Sequence, residues 1–239
     1  MKVTQIHPVT RGISDCGRCT ARENSLFSDF TDEDFRLIQA PIEDFRFAPG
    51  AVIYKQGDKV NGLYSIRSGM VKLNRLNVDG TQRILRILRT GSIIGLEASL
   101  SQYYENDAIA INTVTACRIP VDVIECLDRE SPRLHRKLLM KWHETLVEAD
   151  QWFGELTNGL ARVRMARLLL KMRDSSESDV SSLFSLEDIG SVLGMTIETA
   201  SRIINTLLRE GKIRRINGGD RHYQIDIAAL EQESQSGAL

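Results

Sequence analysis

The chain has 239 residues, 42% of them hydrophobic and 26% charged, with a formal net charge of −1. That is enough apolar material for one large core or two smaller ones, and the near-neutral balance excludes a polybasic nonspecific binder of nucleic acid. No apolar run reaches the length of a membrane span, the N-terminus MKVTQIHPVTRG lacks a hydrophobic signal core, and four cysteines are too few for a disulfide scaffold, so a cytoplasmic protein without membrane contact is expected.

In chain order, residues 1–29 form an N-terminal segment marked by the close pair Cys16-Gly-Arg-Cys19, which in a reducing compartment points to redox or metal chemistry. Residues 30–130 change texture. Short β-branched or aromatic runs such as Val52-Ile53-Tyr54, Leu63-Tyr64-Ser65-Ile66, Met70-Val71-Lys72-Leu73 and Arg83 to Leu88 are punctuated by Gly50, Gly57, Gly62, Gly69, Gly80, Gly91 and Gly95. This pattern predicts a small antiparallel β-barrel or jelly roll. Cys117 falls in one of its strands, where a lone cysteine is ordinarily a small buried hydrophobe, and Cys126 reads the same way in a helix.

Residues 131–160 predict a long helix after Pro132. Leu134, Leu138, Trp142, Leu146, Ala149, Phe153 and Leu156 recur at helical spacing, in a stripe too long for one small barrel to cover. A two-fold dimer seam is expected there, the alternative being a single helix lying across the barrel. His135 and His143 sit among charged residues and read as solvated.

Residues 161–239 carry the densest signal. Leu186, Ile189, Val192 and Leu193 make one helical stripe, and Ile203, Ile204, Leu207 and Leu208 a second, separated by Gly194 and a Thr196 hydroxyl N-cap. Ile213 to Ile225 then alternates around Asn-Gly-Gly-Asp, a hairpin signal. A helix-turn-helix with a basic β-wing follows, against the alternative of a helical hairpin with a solvated charged face. Glu198, Ser201 and Arg202 face away from the apolar stripe, where a carboxylate can accept from cytosine N4 and an Arg can donate to guanine O6/N7. Thr196, Thr199, Arg209, Lys212, Arg214, Arg215 and Arg221 are the expected contacts to the DNA backbone, and His222 is expected to meet phosphate. The polar run Ser175 to Asp179 reads as a loop, and 231–239 as a mobile tail.

The order of barrel, long helix and winged helix-turn-helix resembles the CRP/FNR family of bacterial transcription regulators over roughly residues 30–225. The blocks Gly50 to Gly57, Leu63 to Lys72 and Gly91 to Gly95 are similar to that family's cyclic-nucleotide-type β-roll. The resemblance implies an α+β fold: an N-terminal β-roll (jelly roll), a long dimerisation helix and a C-terminal winged helix-turn-helix. Glu198-Thr-Ala-Ser201-Arg202 resembles the recognition motif of the fumarate-nitrate reduction type, which implies a homodimer on a palindromic, TTGAT-like inverted repeat. RNA polymerase is the implied downstream partner, met near Asp79-Gly80.

Within the β-roll, cyclic-AMP binders of the family grip the phosphate with Gly-Glu and Arg-Ser/Thr pairs. This chain has Gly95-Leu96-Glu97 and, in the second place, Asp107-Ala108, so no cyclic AMP is expected. Oxygen-sensing relatives hold an iron–sulfur cluster on N-terminal cysteines and one barrel cysteine. Cys16, Cys19 and Cys117 match those places, while the remaining ligand would fall on Ser25 or Phe27. Three readings stay open: a cluster with a nonstandard ligand such as Asp29 or His7 (Cys126 only if its predicted helical position is wrong), a Cys16/Cys19 thiol–disulfide switch, or a vestigial or other metal-binding pair with input from haem, another small molecule or protein abundance. No nucleophile–base constellation or phosphate loop suggests an enzyme. The rival reading is a redox- or ligand-binding β-barrel protein whose winged helix mediates protein contacts.

Overall fold

The computed structural model describes residues 8–13, 27, 30–36, 38, 41–76, 82–174, 178–216 and 221–235. The chain forms two compact units, residues 1–146 and 147–239.

Period-2 alternation builds the first unit. One antiparallel sheet runs in the order β1 (Pro8–Ile13), β2 (Glu43–Phe47), β9 (Val114–Pro120), β4 (Gly62–Ser68), β7 (Ile93–Ile94), and a second in the order β3 (Val52–Tyr54), β8 (Asp107–Ala110), β5 (Met70–Leu76), β6 (Gln82–Arg89). Phe47, Tyr64, Ile66, Val114 and Ala116 from the first sheet meet Tyr54, Val71, Leu73 and Ala108 from the second in one core. The intervening residues point the other way: Leu63, Cys117 and Ile119 pack in a separate core with Phe27, Phe30, helix α2 (Val121–Glu130) and the start of helix α3 (Pro132–Leu156). The jelly roll read from the sequence is therefore present, and its sheet also recruits β1 from the N-terminal segment. Cys126 lies in α2, as its helical reading required, which removes it as a substitute cluster ligand.

Helix α3 departs from the expected seam. Leu134 and Leu138 are buried in the chain's own core, with Trp142 packed against it. Leu146 and Phe153 are 60% and 69% exposed, together with Leu139 at 57%, and Ala149 is half-buried. The reason is geometric. Each step of four residues advances about 40° around a helix, so an apolar series that starts on the core at Leu134 has turned by about 120° at Leu146.

A carboxylate ties the residues after the N-terminal segment to the base of α3. Asp34, in the short helix α1 (Asp32–Arg36), accepts hydrogen bonds from the Thr31 amide and hydroxyl (both 2.9 Å), from Ser131 Oγ (2.9 Å) and from the Arg133 guanidinium (3.0 Å). The Thr31 amide, with these side-chain donors, holds the buried carboxyl at about 2.

The second unit contains α4 (Ala161–Lys171), β10 (Val180–Ser182), α5 (Leu186–Leu193), α6 (Ile197–Arg209), β11 (Ile213–Arg215), β12 (His222–Ile225) and α7 (Ile227–Gln235), with a three-stranded sheet in the order β10-β12-β11. The hairpin tip at 217–220 lies outside the described residues, as do 175–177 of the expected loop. The expected tail is corrected: through Gln235 it is helix α7. Leu230 is fully buried, and Glu233 accepts from Arg162 of α4 and from Lys212. These anchors are one apolar residue and one ion-pair network, neither of which makes a visible stripe.

Asp34 sets a pH dependence. Its folded carboxyl, at about 2, lies below the ordinary value of 3.8, so its stabilisation is complete above about pH 4 and is lost as pH falls toward 2. Asp34→Asn should cost about 1–3 kcal/mol at neutral pH. Chemical unfolding followed from pH 7 to pH 2 should show the wild-type advantage shrinking across that acid window; parallel stability curves would contradict this role for Asp34.

Candidate nucleic-acid interface

The interface is assembled at the α5–α6 corner. Ser185 caps α5 by accepting from the Asp188 amide at 3.0 Å, and Thr196 caps α6 by accepting from the Thr199 amide at 3.3 Å. Between them Gly194 ends α5 at φ 60°, a left-handed conformation that glycine adopts without strain. Gly190 is as demanding, because a Cβ there would stand 2.6 Å from the Met195 carbonyl oxygen. Ile189, Val192 and Leu193 pack in the same interior as Ala200, Ile204 and Leu207, all buried. The opposite face of α6 is thereby turned outward.

Glu198 and Arg202 are exposed on that face, one turn apart, while Ser201 and Thr199 are half-buried. Hydrogen bonds from its own amide and from the Thr196 hydroxyl hold the Glu198 carboxyl below the usual carboxylate range, so it stands as an ionised acceptor at the positive end of the helix. Ile197, 47% exposed at the first position of α6, adds an apolar group able to meet a thymine methyl.

The expected backbone contacts divide. Arg214, Arg215 and Arg221 are exposed on the wing, and Arg209 is exposed with its guanidinium donating to Thr206 Oγ1 at 3.1 Å. Lys212 is engaged instead: it donates to Glu233 and lies 3.4 Å from Glu210, both of which also pair with Arg162. The Glu233 hydrogen bond raises the Lys212 ammonium, and Arg162 holds the Glu210 carboxyl at about 2. Lys212 fastens the base of the wing to α7, and its charge is compensated within the unit. His222 is also committed, its Nδ1 lying 2.9 Å from Ser182 Oγ, which in turn donates to Asp174 at 2.6 Å.

Comparison with known proteins agrees with this geometry. Residues 44–129 match the model of the cyclic nucleotide-binding domain, and residues 163–233 that of the Crp-like helix-turn-helix domain. The chain belongs to the CRP/FNR family. An anaerobic regulatory protein of Pasteurella multocida is 29% identical over 166 residues, which cover 67% of this chain and 61% of that protein. The transcriptional activator anr of Pseudomonas aeruginosa is 25% identical over 224 residues, covering 90% and 91%. The alignment thus spans less than two thirds of the first of these relatives and nearly all of the second. Among solved structures, a CRP-family transcriptional regulator from Thermus thermophilus aligns with a TM-score of 0.68 at 26% identity, covering 79% of this chain and 95% of that one. FixK2 from Bradyrhizobium japonicum shares the fold at a TM-score of 0.71 and 24% identity, covering 80% and 96%.

In this CRP/FNR-family chain the roll interior is occupied by aromatic rings. Tyr54 and Tyr104 stack at 3.7 Å between centroids, and Tyr64 lies 6.1 Å from Tyr54. Burial pushes the half-buried Glu97 carboxyl up, and Asp107 accepts from the Gln56 amide at 2.7 Å. Cys117 Sγ donates to Asp44 Oδ1 at 3.3 Å, and the same oxygen is 3.1 Å from the Arg67 guanidinium. Gly12 of β1 pairs with Asp44, and Asp44 with Cys117, so these three form one row across the sheet. Cys16, Cys19, Ser25, Asp29 and His7 lie outside the described residues. Phe27 is buried with its ring 4.8 Å from that of Phe30, which makes it a core residue. His135 pairs with Asp128 at the surface, 2.9 Å away, and His143 is exposed. Among the described residues no group of three or more His, Cys, Asp or Glu is arranged to hold a metal ion.

Gly190 yields a test. Gly190→Ala should destabilise the second unit by about 1–3 kcal/mol, because the corner must open to admit the methyl group. Thermal unfolding of the full chain should show the loss; an unchanged midpoint would mean that the corner relaxes at no cost.

Proposed function

We propose that this chain is a homodimeric, sequence-specific DNA-binding transcription regulator of the FNR type. The observation that carries the reading is the capped α6, with Glu198 and Arg202 presented together beside a wing whose Arg214, Arg215 and Arg221 have no acidic partner among the described residues. Glu198, Ser201 and Arg202 read base edges in the major groove; Thr196, Thr199, Arg209, Arg214, Arg215 and Arg221 meet the phosphates and fix register. A TTGAT-type inverted repeat is the proposed site. RNA polymerase is the proposed partner, the Asp79-Gly80 turn lying outside the described residues. No helix among the described residues is long and apolar enough to cross a membrane.

The dimer is proposed on α3, along Leu139, Leu146 and Phe153, exposed aliphatic and aromatic side chains repeating every seven residues. Two copies joined there would bring two recognition helices to two half-sites.

The proposed signal is redox or oxygen, entering at Cys16, Cys19 and Cys117. Relatives named anaerobic regulatory protein support this, as does the row that sets β1, which ends three residues before Cys16, two strands from Cys117. An iron–sulfur cluster there would be held by those three thiols and a nonstandard fourth ligand such as Asp29 or His7, and when bound would supply sensitivity to oxygen. Asp44 keeps a carboxylate beside Cys117, and Arg67 balances it. Cyclic AMP is not the proposed ligand, since Asp107 would face its phosphate where the family's binders carry an Arg, and Tyr54 and Tyr104 stack inside the roll.

In competition binding, Arg202→Ala should cost about 1–3 kcal/mol and relax discrimination at a G·C pair; wild-type discrimination would sink that assignment. Neutralising Arg202, Arg209 and Arg215 together should abolish salt-dependent DNA affinity, and a chain that still functions without it would favour the protein-contact reading of the wing. Leu146→Glu and Phe153→Glu should yield folded monomers by sedimentation, whereas Leu138→Glu should unfold the first unit. Anaerobically purified protein should lose iron and acid-labile sulfide in air. Metal-free protein that loses two thiols on oxidation would assign the signal to a Cys16/Cys19 disulfide instead.

A further inference from the structure

A cleft of about 340 Å³ lies between α6 and the wing, entirely within the second unit. Its floor is the unit's own core, where Phe184, Ile204 and Tyr223 are 2%, 4% and 6% exposed. Its rim is Ser201 and Asn205 from α6, one turn apart, facing Arg215 and Arg221 from the wing. Among the described residues no Asp or Glu lines it, and these four side chains make no hydrogen bond or ion pair with any of them. Four other cations of the unit are engaged instead: Arg162 by Glu210 and Glu233, Arg167 by the carbonyls of Glu155 and Asn158, Lys171 by Glu155, and Lys212 by Glu233.

We infer that this cleft is a preformed seat for one DNA backbone phosphate in each half-site, gripped by Arg215 and Arg221 and by the Asn205 side-chain amide. The inference rests on the DNA-binding reading above and adds Asn205 as a contact residue. Two guanidinium forks and an amide N–H offer donors only from the protein side, the complement of a tetrahedral oxyanion. The cleft opens between the base-reading row and the wing, so the anion it meets on that face is the phosphate backbone beside the base pairs that Glu198 and Arg202 read. Ser201 closes the corner between the two rows. The seat then fixes the depth of α6 in the groove, because the phosphate is held from both the helix side and the wing side.

The test is a methylphosphonate scan, in which one backbone phosphate at a time is made neutral in a duplex that the protein has itself selected from a randomised pool. For the wild-type chain one position per half-site should weaken binding about tenfold or more, the scale of one charge-assisted hydrogen-bonded contact. Asn205→Leu and the double variant Arg215→Gln/Arg221→Gln alter only side chains on the rim of the cleft. They should bind the unmodified duplex about tenfold more weakly, show no further loss at that one position, and keep the wild-type ratio between selected and mismatched duplexes. Losses that simply add at every position would overturn the seat while leaving DNA recognition intact. So would protection of the DNA-free chain by inorganic phosphate that depends on Arg215 and Arg221 while the variants bind duplex normally, since the cleft would then hold a free anion. A wild-type chain that selects no duplex would overturn the DNA-binding reading itself, and the seat with it.

Discussion

The α5–α6 corner governs the DNA-facing half of the molecule, and it depends on a backbone approach that no side chain could share. The Gly190 Cα faces the Met195 carbonyl at a distance where a Cβ would lie 2.6 Å from the oxygen. The Met195 amide in turn donates to the Gly190 carbonyl at 3.0 Å. With that approach in place, Ile189 and Val192 can bury against Ala200 and Ile204, and α6 starts abruptly at its Thr196 cap with its first turn in solvent. The wing inherits the same constraint. The Lys212 amide bonds the Leu207 carbonyl at 3.0 Å and its carbonyl accepts from Asp226 at 2.8 Å, so β11 springs directly from the last turn of α6. The helix that reads and the hairpin that flanks it are therefore held as one piece.

Charge is divided within that piece. Arg162, Lys212, Glu210 and Glu233 form a closed network linking the start of α4, the end of α6, the base of the wing and α7. These charges are mutually compensated and add little to the external field. Among the described residues, Arg202, Arg214, Arg215 and Arg221 have no such compensation, and all four are exposed on α6 and the wing. A chain with a net charge of −1 can thus present a cationic face, since the field at a surface follows the local arrangement of charges and not their sum.

Much of the architecture was legible because it rests on periodicity. The strands over Val52 to Tyr54, Leu63 to Ile66 and Arg83 to Leu88, the long helix after Pro132 and the helix-turn-helix were all carried by apolar spacing and punctuating residues. What escaped depends on tertiary partners. Helix α7 is anchored by Leu230 and by Glu233 pairing across the unit, so its sequence alone looks like a polar tail. β10 is three residues that gain their identity only by pairing with β12. Lys212 and His222 look like phosphate ligands until Glu233 and Ser182 are found beside them. Gly190 gave no warning because a glycine inside a helical stripe resembles an ordinary imperfection. Asn205 has no signature in the sequence, because an amide one turn beyond a recognition motif gains its setting only from the wing opposite it.

The two faces of α3 show why residue spacing alone could not assign its contacts. Leu134 and Leu138 belong to the core that also holds Phe27, Phe30 and Cys117, because alternation along β9 sends Val114 and Ala116 into the roll and Cys117 and Ile119 toward the helices. Leu139, Leu146 and Phe153 lie on a different side of the same helix. Under the proposed reading this places the barrel thiol, the residues following the N-terminal cysteines and the inner face of the dimer helix in one packed cluster, with Asp34 pinning that helix at Ser131 and Arg133. Packed interiors do not deform continuously. A chemical change at Cys117 that altered its volume or charge would therefore have to be absorbed by Phe27, Phe30, Leu134 or Leu138. The last two lie on the helix whose outer side is proposed to set the spacing of the recognition helices, so sensor and dimer seam would be coupled through the thickness of α3.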